Sequence, residues 1–113
     1  MKIEHYSFGK IIIDGETFTS DVIIYPGRIY APWWRKEGHH LQPVDLVDIV
    51  SAGPDMLIVG TGFSGLMRVP EETISFVASK GIEIRIERTG KAVELFNSME
   101  KDGIIIAALH LTC

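Results

Sequence analysis

Three glycines in residues 60–65 have the spacing G-x-G-x-x-G and directly follow the apolar run Met56–Val59. After a buried strand, this pattern can cradle a dinucleotide pyrophosphate, because glycines let backbone N–H groups approach the phosphates. In that fingerprint a helix opens within the glycine run. Here the helix signal, Pro70, comes five residues after the last glycine, and proline disfavours helix in the residue before it. The sequence therefore favours a sharp turn at a strand end over a dinucleotide site.

The same turn still marks a place where a ligand could bind. Ligands of open α/β sheets bind beyond the carboxyl ends of the strands. Thr61 and Ser64 offer hydroxyl groups there, and Glu87 ends the next predicted strand along the chain. The backbone from Gly60 to Gly62 would add N–H groups. We therefore take this edge as a candidate site for a small ligand or for the backbone of a partner.

The segment Trp33–His40 is the second place where residue types suggest a function. If the two tryptophans lie on a strand, one points into the core and the other covers the surface or meets a partner. Tryptophan and arginine are enriched at the energetic centres of protein interfaces. An edge-packing tryptophan beside a solvated charged turn explains the segment equally well. The candidate interaction surface consists of Trp33, Trp34, Arg35, Glu37 and His39.

No metal site or catalytic set is predicted. His39 and His40 are adjacent, which is an awkward spacing for two ligands of one metal ion. His110 and Cys113 are spaced H-x-x-C, but a cysteine at the last position is more simply an inert thiol than an activated nucleophile. No cofactor is predicted, and enzymatic activity is left open with the balance against it.

Composition limits the function classes. A chain of 113 residues is the size of one domain, and 46% hydrophobic residues can build a core without disulfides. A net charge of −4 argues against a nucleic-acid surface, which needs a basic face. No apolar run reaches the length of a membrane helix or forms the core of a signal peptide. With its single cysteine, Cys113, the chain is expected to be a cytoplasmic protein without membrane insertion.

Residues 1–42 are predicted to form an antiparallel β-meander. Short apolar pieces alternate with turn signals, of which Asp14-Gly15 is the strongest, because both residues tolerate the positive φ of a type I′ hairpin turn. Pro26-Gly27 marks another turn. The predicted strands are Tyr6–Phe8, Lys10–Ile13, Thr17–Thr19, Val22–Tyr25 and Ile29–Trp33.

Residues 43–113 alternate between helix and strand signals. Helices are expected from Pro43, from Pro70 to Gly81, and from an N-cap at Thr89. Strands are expected at Met56–Val59, Ile82–Glu87 and Ile104–Leu109. This alternation predicts a single α/β domain with three layers, in which a mixed central sheet of about five strands carries helices on both faces.

The chain resembles one known family in the following residues: Trp34, Glu37–His39, Val59–Gly62, Gly81-Ile82, Thr89, Ala92, Asn97 and Ala107–Cys113. The family contains mitochondrial complex I assembly factor 3, an adipogenesis-associated cytosolic protein, and small archaeal and bacterial proteins of unknown function. The resemblance implies a three-layer α/β fold with a mixed five-stranded sheet and no established enzymatic activity. It carries over Gly60, Thr61, Gly62, Thr89 and Asn97 as candidate site residues.

Two functions from different classes follow from these observations. The first is a non-enzymatic adaptor or assembly-type factor that binds a protein through the Trp33–His40 segment and the glycine loop. The alternative is a small-ligand or nucleotide-binding protein, or an enzyme, with its site near residues 60–65. Self-association through a free strand edge is a third reading, and the sequence does not rank it.

Overall fold

The computed structural model describes all residues from Met1 to Cys113. The first part contains five strands: β1 (Ile3–Ser7), β2 (Lys10–Ile13), β3 (Glu16–Phe18), β4 (Val22–Tyr25) and β5 (Arg28–Tyr30). The second part contains a 3-10 helix (Pro43–Leu46), α1 (Val47–Ser51), β6 (Met56–Gly60), α2 (Glu71–Ala78), β7 (Glu83–Glu87), α3 (Thr89–Met99) and β8 (Ile105–Leu109).

Strands β1, β2 and β3 form a small antiparallel sheet of their own. The turn between β2 and β3 is the predicted Asp14-Gly15 hairpin. Asp14 has φ 47° and Gly15 has φ 81°, as a type I′ turn requires at both central positions. The register pairs Ile13 with Glu16, directly across this two-residue turn.

The central sheet has five strands in the order β5-β4-β8-β6-β7. Strand β8 pairs parallel with β6 and antiparallel with β4, so the sheet is mixed, as predicted. The predicted meander, however, does not stay together. Strands β4 and β5 belong to the central sheet, because all four residues of β4 are buried and such a strand needs cover on both faces.

The core consists of two layers of buried side chains, one on each face of the central sheet. On one face, α3 and the three-stranded sheet contribute Ala92, Phe96 and Ile11. On the other face, the 3-10 helix, α1 and α2 contribute Leu46, Ile49 and Val77. The predicted α/β fold with helices on both faces of a five-stranded sheet is therefore confirmed. None of the helices combines the length and the apolarity needed to cross a bilayer.

Several boundaries differ from the sequence prediction by a few residues, and three of these differences concern the candidate site residues or the elements beside them. Strand β5 ends at Tyr30, so the two tryptophans lie in the connection that follows it. Helix α2 begins at Glu71, one residue after Pro70. Thr89 is the first residue of α3 rather than its N-cap, and its side chain does not cap the helix. The hydroxyl of Thr89 has other partners, which lie in the glycine loop and after β8.

Candidate functional site

The glycine loop runs from the end of β6 into a segment packed against the last residues of the chain. Gly62 has φ 111°, and a Cβ atom placed there would lie 2.7 Å from the backbone oxygens of Thr112 and Cys113. A Cβ at Gly60 would lie 2.7 Å from Oγ1 of Thr89. These two glycines are thus required by close packing inside the protein.

Most backbone N–H groups of this loop already have acceptors within the protein. Gly62 donates to Oγ1 of Thr89 at 2.8 Å, and Phe63 donates to the oxygen of Thr112 at 2.7 Å. Thr61 donates to the oxygen of Glu87 at 2.9 Å, and Leu66 donates to that of Cys113 at 2.9 Å. In this conformation those groups are not free to hold a phosphate, which is the role they would have in a dinucleotide site.

The other residues predicted for this edge are only partly brought together. Thr61, Glu87 and Thr89 meet at the carboxyl ends of β6 and β7, where Oγ1 of Thr61 donates to the oxygen of Glu87 at 3.1 Å. Ser64 is exposed in the loop. Asn97 lies two turns further along α3, and its amide group pairs with the backbone N–H and C=O of Ile3 at 2.9 and 2.8 Å. Asn97 thus fastens β1 to α3.

The two adjacent tryptophans have opposite environments. Trp33 is 4% exposed and belongs to the core on the α1 and α2 face, whereas Trp34 is 82% exposed. The alternation expected from a strand is present although neither tryptophan lies in a strand. Such high exposure is unusual for a tryptophan side chain, because the indole ring carries a large apolar surface.

Glu37 and His39 lie on the exposed turn that follows. Oε2 of Glu37 is 3.3 Å from Nδ1 of His40 and accepts a hydrogen bond from Gln42. The ring of His39 packs edge to face on the ring of His110, with 5.4 Å between the ring centres. His39 therefore covers a buried histidine instead of pairing with His40.

A buried polar cluster connects this turn to the end of β8. Oδ2 of Asp21 accepts hydrogen bonds from Nη2 of Arg35 and from Nδ1 of His110, both at 2.8 Å. Oδ1 of Asp21 accepts the backbone N–H of Leu111 at 2.7 Å. Nε and Nη2 of Arg35 also donate to the backbone oxygen of Gly38, and the guanidinium lies 4.5 Å from the centre of the Trp33 ring. We call Asp21, Arg35 and His110 the buried cluster.

The protonation of the buried cluster follows from its geometry. A carboxylate only accepts hydrogen bonds, so Nδ1 of His110 carries the proton that faces Asp21. Arg35 Nη2 lies 3.2 Å from the same Nδ1, and both nitrogens donate to one carboxylate oxygen. Burial raises the pKa of Asp21, but the hydrogen bonds from His110, Leu111 and Arg35 lower it by more, so this pKa lies below its ordinary value. Asp21 is an anion at neutral pH.

Sequence reasoning missed two of the three members of this cluster. Asp21 is an isolated acid before a buried strand, and nothing in its neighbourhood marks it. His110 follows the apolar run of β8, but its spacing drew attention only toward Cys113. The structure brings Asp21 and His110 together across 89 residues of sequence, because β4 and β8 are neighbours in the sheet.

A groove of about 590 Å³ lies beside β5. Its exposed apolar residues are Tyr30, Trp34 and Val44, and the buried side chains of Ile23 and Ile49 also line it. Strand β5 is an edge of the central sheet, so one side of its backbone is unpaired. We call this region the Trp34 groove. The full lining is Ile23, Tyr25, Arg28, Tyr30, Trp33, Trp34, Val44, Asp45, Asp48, Ile49, Ser51 and Ala52.

Comparison with known proteins places this geometry in a family. An assembly factor from Xenopus tropicalis, NADH dehydrogenase [ubiquinone] 1 alpha subcomplex assembly factor 3, is 27% identical over 111 residues. That alignment covers 96% of this chain, and the chain spans 59% of the length of that relative. The chain is thus similar to one part of a longer protein.

Solved structures repeat the whole fold. The conserved hypothetical protein PH1505 from Pyrococcus horikoshii is 32% identical, with a TM-score of 0.86 and complete coverage of both chains. An outer membrane protein from Bartonella henselae is 25% identical, with a TM-score of 0.83, and the match covers 98% of this chain and 94% of that one.

The family model for proteins of unknown function named DUF498/DUF598 matches residues 3–110. This range includes both sheets, all the helices, the glycine loop and the buried cluster. The family resemblance predicted from the sequence, to the group that contains complex I assembly factor 3, is confirmed by this match and by the relatives above. The chain therefore belongs to the DUF498/DUF598 family of proteins of unknown function.

Proposed function

We propose that this protein is a non-enzymatic adaptor or assembly-type factor that binds a partner protein in the Trp34 groove. The observation that carries the proposal is the 82% exposed indole of Trp34 beside a groove with an apolar lining. Large exposed apolar side chains around a groove mark interaction sites, and tryptophan is the residue most enriched at their energetic centres. The assembly-factor name of the Xenopus relative supports a role toward other proteins.

Of the two edge strands of the central sheet, β5, beside the Trp34 groove, is better suited than β7 to pair with a strand of a partner. At the β7 edge the chain carries Glu83, Arg85 and Glu87, and such charges discourage the pairing of another strand. At the β5 edge, Tyr30 is exposed and lines the groove. An extended segment of a partner can pair with β5 and place its side chains in the groove.

The charges around the groove favour a partner segment with basic as well as apolar side chains. Asp45 and Asp48 line the groove on the helical side. Asp45 accepts hydrogen bonds from the backbone N–H groups of Lys36 and Gln42, whereas Asp48 is exposed. The guanidinium of Arg28, the one cation in the lining, is held 4.0 Å from the centre of the Tyr25 ring. The exposed carboxylate of Asp48 is thus available to a lysine or arginine of the partner.

The test is affinity capture from a native lysate, followed by binding measurements with the purified partner. Trp34→Ala should weaken binding about 30-fold or more, because the loss of a tryptophan at an interface centre costs about 2 kcal/mol or more. Ile104→Ala is the matched control, since Ile104 is also exposed. Ile104 lies just before β8, whereas Arg35, the neighbour of Trp34, contacts His110 just after β8. A partner retained equally by both variants would contradict the proposal.

Two further measurements identify the occupant. Asp48→Lys should weaken binding of the same partner, while Glu94→Lys, with the same charge change on the exposed side of α3, should not. Light scattering on the purified protein reports self-association. A stable dimer that Trp34→Ala dissociates would make a second copy of the chain the occupant and would replace the partner protein in this proposal.

The proposed location of the protein is the cytoplasm, since a single cysteine suits a reducing compartment.

A further inference from the structure

The lining of the Trp34 groove is rich in aromatic rings, and such rings attract more than apolar groups. Tyr25, Tyr30, Trp33 and Trp34 all line the groove. The face of an aromatic ring attracts a cation because the π electrons give it partial negative charge, and tryptophan attracts cations most strongly. The groove therefore combines apolar packing with surfaces that favour positive charge.

The two buried rings of this set already hold cations that belong to the protein. The guanidinium of Arg28 lies 4.0 Å from the centre of the Tyr25 ring. The guanidinium of Arg35 lies 4.5 Å from the centre of the Trp33 ring. The protein thus uses the aromatic side chains of this region to bind positively charged groups.

The two exposed rings of the groove, Tyr30 and Trp34, are free of such contacts. The cation–π contacts within the protein involve Tyr25, Trp33 and Phe76. Tyr30 is 51% exposed and Trp34 is 82% exposed. Their rings are therefore accessible to a cation from outside the chain.

The charges of the groove also favour a cation. Two carboxylates, Asp45 and Asp48, line it with one cation, Arg28, which is held at the Tyr25 ring. Burial raises the pKa of the Tyr25 hydroxyl, Arg28 opposes this shift and Asp48 adds to it, so the charge of Asp48 acts within the groove. Both carboxylate oxygens of Asp45 accept backbone N–H groups, whereas Asp48 is exposed. Asp48 thus offers the free negative charge.

We propose that the Trp34 groove binds a trimethylammonium group, which packs on the rings of Trp34 and Tyr30 and is balanced by the carboxylate of Asp48. The methyl groups spread the positive charge over an apolar surface and need no hydrogen-bond acceptor, so they suit aromatic faces. A primary ammonium packed on the same rings would lose the hydration of its three N–H donors, for which only Asp48 offers a free carboxylate. A choline-like solute and a trimethylated lysine side chain both supply the quaternary group.

This inference shares its groove with the proposed function but needs no partner protein, so the two can fail separately. Its test titrates the purified protein with choline and with the neutral analogue that has a tert-butyl group in place of the trimethylammonium. Sodium chloride controls for ionic strength, and saturation-transfer NMR follows the methyl signal of each ligand. Choline should bind saturably with a Kd of about 1 mM, and the neutral analogue at least about tenfold more weakly. Equal affinity for the two, or no saturation by about 30 mM choline, would overturn the inference.

Three variants locate the bound group. Trp34→Leu keeps an exposed apolar side chain but removes the aromatic face, so it should weaken choline binding about tenfold. Asp48→Asn should weaken it about threefold, as expected for one exposed charge. Phe8→Leu is the matched control, because Phe8 is also an exposed aromatic residue but lies in the turn between β1 and β2. Choline binding that responds equally to Trp34→Leu and Phe8→Leu would place the ligand elsewhere and overturn the inference.

A second pair of ligands distinguishes the two sources of the group. These are Nε-trimethyl-lysine and unmodified lysine, both blocked as N-acetyl amides. Tighter binding of trimethyl-lysine than of choline would assign the groove to a methylated side chain of a partner, and the reverse would assign it to a small solute. Either result supports the site. Unmodified lysine that binds as tightly as trimethyl-lysine would contradict the preference for a quaternary group and overturn the inference.

Discussion

The glycine loop and the Trp33–His40 segment both pack against the residues that follow β8. They differ in how much of each remains exposed to a ligand or partner. Backbone N–H groups of the loop donate hydrogen bonds to Thr112, Cys113 and Thr89, so few of them remain free to bind a ligand. The tryptophan segment fastens one residue, Arg35, to the buried cluster and leaves its neighbour Trp34 outside. The spacing of the glycines marks the loop as a candidate site, but the exposed side chain suited to binding, Trp34, lies in the tryptophan segment. A motif of glycines can report close packing as readily as ligand binding.

Asp21→Asn should destabilise the protein strongly, because it removes the counterion of a buried arginine. We expect a loss of about 3–5 kcal/mol in the free energy of unfolding at pH 7, as for other broken buried ion pairs. Denaturant titration measures it. Asp14→Asn, at an exposed hairpin position, is the control and should cost far less. A small effect of Asp21→Asn would mean that the buried cluster does not hold the tryptophan segment.

The contribution of Asp21 should depend on pH in a defined direction. The pKa of Asp21 is lower in the folded protein than its ordinary value, so the folded state binds this proton less readily than the unfolded state. The stability from Asp21 is then complete above the unfolded pKa, about 3.9, and is lost as the pH falls through the folded value. The difference between wild type and Asp21→Asn should shrink as the pH falls below 4, about the ordinary pKa of aspartate. A difference that is constant from neutral to acid pH would contradict this ion-pair assignment.

Gly62→Ala tests the packing of the glycine loop and should cost about 3 kcal/mol. It combines the strain of φ 111° in a residue with a Cβ and a clash with the backbone of Thr112 and Cys113. Gly15→Ala isolates the first of these effects, since Gly15 has φ 81° and nothing within 4 Å of an added Cβ. We expect about 1 kcal/mol for it. Equal losses in thermal or chemical unfolding would show that the loop can move away from the residues after β8.

Thr89→Val should cost about 2 kcal/mol, somewhat less than the change at Gly62. The hydroxyl of Thr89 accepts from Gly62 N–H and donates to the backbone oxygen of His110, so valine leaves two buried groups without partners. Thr73→Val is the matched control, because its equally buried hydroxyl has one partner, the oxygen of Leu41. Its loss should be about half as large. Equal losses in the free energy of unfolding for the two variants would contradict the role of Thr89 in linking the loop to His110.

Trp34→Ala should have the smallest effect on stability, within about 0.5 kcal/mol, because the indole is mostly outside the core. Trp33→Ala should cost about 3–5 kcal/mol, since it opens a cavity in the core. Chemical unfolding of the two variants measures both numbers. A large loss for Trp34→Ala would give that side chain a structural role and would weaken the case for an interaction surface.

The sequence predicts well those elements whose signals are local. The apolar run before the glycines, the spacing of Ala92 and Phe96, and the Asp14-Gly15 turn each indicate their own structure. The separation of the N-terminal strands into two sheets was not predictable in this way, because it depends on which strands pair with β8. The buried cluster was missed for the same reason, since Asp21 and His110 become neighbours only when β4 and β8 pair.

The central position of β8 has a consequence for how the protein folds. Without β8, the strand pair β4-β5 and the strand pair β6-β7 have no hydrogen bonds to each other. The sheet therefore closes through pairings between residues distant in sequence, such as Val22 with Leu109. Contacts of this kind slow folding, because a long loop must be ordered before they form. Until β8 is in place, the buried strands β4 and β6 present bare apolar edges, and this is the stage at which the chain is most prone to aggregate.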